Sequence, residues 1–236
     1  MFYFDNFYGK RILKSTLLKD YNCFFTTRDF VLTASNRDDL VIEAEQNRKF
    51  LEEKQACKIT TCKQIHSDNI AVIEENKYFY DNTDAIITKK ENSLILLNFA
   101  DCVPIILYSP KDNIGAVVHA GWRGTAAEIA KKTAIKMEIE PKNIVALIGP
   151  AIGKCCFETD EDVFNKLIKN ENSNNYIKKG NKYFIDLKEI NHDQLAEIGV
   201  ENIDICNYCT CCMSDIFFSY RKENGITARH SAIMKI

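Results

Sequence analysis

Histidine is scarce in this chain of 236 residues, with four in all, at positions 66, 119, 192 and 230. A multicopper oxidase centre needs many more imidazoles, so the His count argues against copper oxidase chemistry. Proline (4) and glycine (9) are also few, which leaves little material for a linker and favours one domain over residues 1–236. Neither charge sign dominates: 31 Lys and Arg face 33 Asp and Glu, a formal charge of −2. With no basic excess to release counterions from a phosphate backbone, nucleic acid is not an expected partner. Long apolar runs are missing too. The longest, 94–108, is interrupted by Asn98, Asp101 and Pro104 and falls short of the roughly 20 residues of a membrane helix, so no membrane partner is expected. Neither a Gly-x-Gly-x-x-Gly nor a phosphate-loop motif occurs, which removes support for nucleotide-cofactor binding through such loops.

What is abundant is sulfur: ten Cys in a chain that is 46% hydrophobic and 27% charged, the make-up of a globular protein with a sizeable core. Secreted disulfide scaffolds are shorter, usually under about 100 residues, and carry an export signal. The aromatic start is broken by Asp5 and Asn6 and has no small-residue cleavage site. A reducing, cytoplasmic location is therefore expected, with the cysteines as thiols, core fillers or metal ligands.

Apolar spacing predicts a helix over 40–54, with Leu40, Ala44, Asn47 and Leu51 on one face. Strand-like runs follow at 59–65, 70–74, 84–88, 94–99, 103–108 and 114–119. Thr125 is a candidate cap for a helix to Met137. A buried strand is expected at 144–149 and a helix from Thr159 or Asp160 to Ile168. Segment 171–182 reads as loop. Beyond it come a strand at 183–187, a helix near 188–198, a strand near 202–206 and a last strand at 229–235. Adjacent hairpins with interspersed helices point to an α/β or α+β fold with a mixed sheet.

Three segments look chemical. Lys63-Gln64-Ile65-His66 ends an apolar strand on a His in polar company. Asn98-Phe99-Ala100-Asp101-Cys102-Val103-Pro104 joins two very apolar strands, and Pro104, which has no N–H to donate, predicts a bulged or bent backbone there. In His119-Ala120-Gly121-Trp122-Arg123-Gly124 two glycines flank Trp122 and Arg123 at a helix start. There, free N–H groups and the Arg123 guanidinium suit a phosphate or carboxylate; the plainer reading makes Trp122 a core plug and pairs Arg123 with a surface acid. His66, Cys102 and His119 each lie at a strand end or strand-to-turn junction, where one sheet rim can gather them. Two imidazoles and a thiolate make three ligands for a tetrahedral Zn²⁺ and leave the fourth position open, as in catalytic sites. Asp101 or Asp84 would then orient a ligand or accept a proton. The same ligand set serves blue copper, but the long axial Met of such sites is not signalled here.

A rival metal site is Cys206-Asn207-Tyr208-Cys209-Thr210-Cys211-Cys212, for which Cys57 and Cys62 are candidate partners. Redox pairing and simple packing are equally open for it. Cys155 and Cys156 follow another strand-to-turn segment, Ile148-Gly149-Pro150.

Gln64-Ile65-His66, Ala100-Asp101-Cys102-Val103-Pro104, His119-Ala120-Gly121-Trp122-Arg123-Gly124 and Ile148-Gly149-Pro150 followed by Cys155-Cys156-Phe157-Glu158 resemble, in order, the signatures of the laccase-domain family. That family is also called polyphenol-oxidase-like or peptidoglycan-editing-factor. Cys209-Thr210, Phe218-Ser219-Tyr220-Arg221 and Thr227-Ala228-Arg229 extend the likeness over nearly the whole chain. The chain departs from the family in Thr27-Arg28-Asp29-Phe30-Val31-Leu32-Thr33-Ala34-Ser35-Asn36, which lacks the usual Gly pair. The resemblance implies a four-layer α/β/β/α fold with mixed sheets and zinc held by His66, Cys102 and His119. It also implies phosphorolysis of the purine nucleosides adenosine, inosine and methylthioadenosine, with adenosine deaminase activity. On that reading Cys102, His119 and Asp101 are catalytic, Arg123 and Arg48 hold the phosphate, and Gln64 and Asp84 lie near the substrate. The alternative is a metal-free cysteine hydrolase or editing enzyme for cell-wall precursors, with Cys102 as nucleophile and His119 as base. A third reading is a zinc-stabilised binding module built on 206–212.

Overall fold

Which side chains alternate along the strands determines how the layers stack. The computed structural model describes residues 1–34, 37–168 and 174–236. In chain order its elements are β1 (Phe2–Phe7), β2 (Lys10–Ser15), β3 (Asn22–Thr26), α1 (Val41–Gln55), β4 (Ile59–Cys62), β5 (Ile70–Val72), β6 (Phe79–Tyr80), β7 (Ala85–Thr88), β8 (Leu94–Phe99), β9 (Val103–Ser109) and β10 (Ile114–Ala120). There follow α2 (Trp122–Ala126), α3 (Ile129–Lys136), β11 (Val145–Ile148), β12 (Glu158–Thr159), α4 (Glu161–Leu167), β13 (Tyr176–Lys179), β14 (Lys182–Ile185), α5 (Leu187–Glu197), β15 (Asn202–Ile205) and β16 (His230–Lys235).

One sheet runs β1-β2-β3-β16-β8-β4-β6 and a second β15-β11-β9-β10-β7-β5, while β12-β14-β13 form a small third. Both large sheets are mixed, with parallel pairs β4/β8, β4/β6, β5/β7 and β11/β15 among antiparallel neighbours. On β8, Ile95, Leu97 and Phe99 point into a core between the sheets, where they meet Ile106, Val117 and Leu147. Leu94 and Leu96 point the other way and pack with Leu51 of α1. On β9, Ile105 and Leu107 face Ile129, Ala130, Ile190 and Leu195 of α3 and α5. Both faces of β8 and β9 are covered, which is why their sequences read as continuous apolar runs rather than alternating ones. Each fully buried Leu or Ile in these layers contributes roughly 1.5–3 kcal/mol. The order is α/β/β/α with mixed sheets, the fold class expected from the resemblance. Among the described residues no helix is long and apolar enough to cross a membrane.

Local differences from the sequence reading have identifiable causes. The helix expected from Thr125 begins already at Trp122, capped by Gly121 in extended conformation, and breaks where Glu128 turns left-handed (φ 60°) before α3. Thr125 is thus inside α2, where its hydroxyl oxygen accepts from Asn191 Nδ2 at 2.9 Å. Pro104 makes no bulge: the β9/β10 register is continuous from Ser109 to Val103. Its carbonyl accepts from Gly149 N on the β11 side, so its missing donor falls past the end of β11 at Ile148. The described part of 171–182 contains β13 and the start of β14, a hairpin rather than a loop, and 171–173 lie outside the described residues. Strands β1 to β3 were not anticipated; β1 buries none of its residues fully, which blurs its alternation.

Candidate active site

Two connections between the sheets and one strand end build the site. After β4 the chain leaves the first sheet, passes His66 and enters the second at β5; after β8 it leaves again, turns at Asp101 and presents Cys102 just before β9. His119, near the end of β10, pairs with Pro104 of β9 and so stands beside Cys102. The ligand atoms of His66, Cys102 and His119 lie within 4.8 Å of one another. The two imidazoles meet nearly at right angles (78°), ring centres 4.8 Å apart.

Asp84, at the foot of β7 and fully buried, fixes both histidines. Its Oδ1 accepts from His119 Nδ1 at 2.8 Å and from the His66 backbone N–H at 3.0 Å. Its Oδ2 accepts from the Ser67 N–H and hydroxyl at 2.8 and 2.7 Å, and from the Ile65 N–H at 3.3 Å. Burial alone would raise the Asp84 pKa, but the donors from His119 and Ser67 prevail and hold it at about 2. Three successive N–H groups converging on that carboxylate account for the left-handed backbone of His66 (φ 62°), an uncommon conformation for a residue with a Cβ. Because Asp84 takes Nδ1 of His119, Nε2 is left for the site.

Burial would also raise the Cys102 thiol, yet the charge of His119 and hydrogen bonds from both imidazoles bring it down to about 6. His119 answers in kind: burial lowers it, Cys102 and Asp84 raise it to about 9. Each group thus favours the charged form of the other, which prepares the sulfur for a soft divalent cation. Gly121 leaves room for this. A Cβ there would stand 2.9 Å from His66 Cδ2 and 3.1 Å from Cys102 Sγ. Donor types, spacing and this opening all fit a zinc ion at the triad. The remaining histidines stand apart: His192 is partnered by Asp193, and His230 is buried between the Phe99 and Phe217 rings.

The triad lies in a cavity of about 680 Å³, a size suited to a small organic ligand. Trp122, Phe157 and Tyr220 give it aromatic walls, and Arg221 and Arg229 bring cations to it. Gln64 also lines it and is braced like an extra strand residue, donating to the Asn98 carbonyl at 2.8 Å and accepting from the Asn98 N–H at 3.0 Å. Thr33, from the segment that departs from the family pattern, is in the lining as well; Ser35 and Asn36 fall outside the described residues.

Of the residues to which the sequence gave a catalytic, substrate or metal role, Gln64, His66, Asp101, Cys102 and His119 reach this cavity. Asp101 turns the chain with a left-handed backbone (φ 86°). Both its carboxylate oxygens are occupied, by the Thr210 hydroxyl at 2.6 Å and the Arg221 N–H at 2.7 Å, so it ties loops together. Asp84 is behind the lining, committed to His119 and the 65–67 backbone. Arg123 is exposed, its guanidinium 4.2 Å over the Trp122 ring, and is not in the lining. Trp122, expected as either a core plug or part of an anion turn, is a half-buried wall of the cavity. Arg48, half-buried on α1, is not in the lining either. Arg221 and Arg229 were missed as binding residues although both stand in stretches that carried the resemblance. Cys57 and Cys62 do not join the 206–212 segment: Cys57 Sγ donates to the Asn92 carbonyl, and Cys62 lines the cavity. Cys206 is buried in the core between the sheets.

Layer order and triad together define a laccase-like α/β/β/α chain with an open His₂Cys site. The chain belongs to the family described as multi-copper polyphenol oxidoreductase laccase, whose model matches residues 28–236. It is 38% identical over 176 residues, 71% of this chain and 72% of the relative, to a protein of Clostridium acetobutylicum named purine nucleoside phosphorylase. It is 33% identical over 73% of its length, and 70% of the relative, to purine nucleoside phosphorylase YlmD of Geobacillus stearothermophilus. The crystal structure of that organism's YlmD superposes with a TM-score of 0.88 at 28% identity, covering 98% of both chains. That of Bacillus licheniformis hypothetical protein YfiH gives 0.86 at 27%, covering 99% of this chain and 98% of the other.

Proposed function

We propose that this chain is a zinc-dependent purine nucleoside phosphorylase, acting on adenosine, inosine and methylthioadenosine, and that the same site deaminates adenosine. The observation that carries the reading is the convergence of His66, Cys102 and His119 in a cavity that is also lined by three aromatic residues and two arginines. The names of its relatives support the same class of reaction.

Phosphorolysis needs an anion held beside C1′ while the base departs. Arg221 and Arg229 are the cations that line the cavity, and we assign them the phosphate, the role that sequence reasoning gave to Arg123 and Arg48. Trp122, Phe157 and Tyr220 supply faces on which a purine stacks. His66, Cys102 and His119 would hold the zinc, which when bound supplies Lewis-acid polarisation of a substrate atom. Asp84 keeps the proton of His119 on Nδ1, and Asp101 keeps the Arg221 loop against the cavity.

The test is a nucleoside panel with and without phosphate, read by chromatography of free bases, on the wild type and on Cys102→Ala. Zinc at the triad, phosphorolysis and deamination should be lost together in the variant. Full phosphorolysis by a Cys102→Ala protein that has lost the zinc of the triad would refute the reading. The Asp84–His119–Cys102 line, with its low thiol pKa, favours as second reading a metal-free cysteine hydrolase acting on cell-wall precursors. Activity that survives chelation and dies with thiol alkylation would select it.

A further inference from the structure

Four thiols that the active site does not use meet at one place. Cys155 and Cys156 lie in the turn after Gly153, Cys209 and Cys212 in the loop after β15, and their sulfurs are all within 4.8 Å of one another. Cys212 Sγ is 3.6 Å from that of Cys155 and 3.5 Å from that of Cys156. A tetrahedral ion with Zn–S bonds of about 2.3 Å spaces its sulfurs about 3.8 Å apart, whereas a disulfide brings only two together, at about 2.05 Å.

The backbone holds the two segments that carry these sulfurs together. Segments 151–153 and 209–210 pair through a parallel bridge between Ala151 and Cys209 and a hydrogen bond from Thr210 N to the Ala151 carbonyl. The Gly153 N–H donates to Cys209 Sγ at 3.2 Å. Positive charge stands close by. Arg221 Nη1 donates to the Cys156 carbonyl at 2.9 Å, and buried Lys188 donates to the carbonyls of Cys206 and Tyr208. Cys155 and Cys212 are exposed, which gives an ion a way in.

We infer that Cys155, Cys156, Cys209 and Cys212 form a second metal site, a closed tetrathiolate for a thiophilic divalent cation of the zinc type. Four protein ligands leave no position for substrate, so the site is structural. Binding exchanges thiol protons for the cation. The ion ties the 153–157 turn to the 209–212 loop, and both support the cavity: Ile152 and Phe157 line it, Arg221 rests on the Cys156 carbonyl, and Thr210 holds Asp101. The donors are separate from the His66–Cys102–His119 triad, so each site stands or falls by itself.

The experiment uses the full chain, purified anaerobically under reductant and loaded with Zn²⁺ or Co²⁺. About two zinc ions per wild-type chain are expected, falling to about one in Cys102→Ala and about one in Cys209→Ser/Cys212→Ser. Cobalt-loaded Cys102→Ala should show the strong sulfur-to-metal charge transfer of tetrahedral thiolate coordination. Wild-type metal content in the Cys209→Ser/Cys212→Ser chain, or a metal-free Cys102→Ala chain, overturns the inference. If the double variant fails to fold, the cobalt spectrum of Cys102→Ala decides by itself. A single zinc that survives Cys102→Ala but not Cys209→Ser/Cys212→Ser supports this site and removes zinc from the triad.

Discussion

His119 sets its Nδ1 2.8 Å from Asp84 Oδ1, and this one contact decides which nitrogen faces the cavity. The same carboxylate gathers the N–H groups of residues 65–67, so one buried side chain positions both imidazoles. In Asp84→Asn one amide end presents N–H to those donors. Zinc affinity, measured by competition with a chromophoric chelator, should fall roughly 10–100-fold. Unchanged affinity would mean that Asp84 does not orient the ligands.

Gly121 has an ordinary backbone, φ −68° and ψ 173°, so alanine there is not strained by conformation. Its Cβ would press on His66 and Cys102 instead. Gly121→Ala should therefore keep a near-wild-type circular dichroism spectrum and melting temperature while losing most of the zinc bound at the triad. A variant with full zinc content contradicts this.

Arg221 and Arg229 should act on phosphate rather than on the nucleoside. Losing a charge-assisted, directed contact costs about 1.5–3 kcal/mol. Arg229→Lys and Arg221→Lys are thus expected to raise KM for phosphate by about tenfold or more, with KM for nucleoside little changed. Initial rates over a grid of both substrates check this, and an equal rise for both substrates would count against the assignment.

Acid should weaken the fold through His230. Burial drives its pKa from 6.5 down to about 3, opposed only in part by the Pro150 backbone. A depressed histidine pKa means that the fold accepts the neutral ring. Its contribution is complete above pH 6.5 and shrinks as pH falls toward 3. Between pH 7 and pH 5 this amounts to about 2 kcal/mol. Asp84 also has a lowered pKa, but its contribution disappears only below 3.8, outside that window. Urea titrations at the two pH values should show the loss in the wild type and much less of it in His230→Phe, whose ring suits the Phe99 and Phe217 neighbours. Equal losses would show that another group governs the acid limb.

The sequence was most informative where the chain is covered on both faces. The apolar runs of β8, β9 and β10 announce buried strands, and Cys102 and His119 sit at their ends or at the connection between them, with His66 in the connection from β4 to β5. It was least informative where partners come from distant segments. Arg229 reaches the cavity because β16 lies beside β8, and Arg221 because Asp101 holds its backbone N–H, neighbour relations that no local pattern encodes. Cys209 and Cys212 were matched with Cys57 and Cys62 because spacing alone cannot tell which loop an unpaired Cys-x-x-Cys will face. The break between α2 and α3 depends on a left-handed Glu128, a conformation that glutamate gives no local reason to expect.

The crossings from one sheet to the other at His66 and at Cys102 also bear on how the chain matures. Neither ligand reaches its place until both sheets exist and have docked, and a strand slipped by one residue would turn its side chains to the opposite face. The triad is therefore an assembly gauge: ion uptake during refolding should follow sheet docking rather than precede it, and the metallated fraction of a preparation counts the chains that folded correctly.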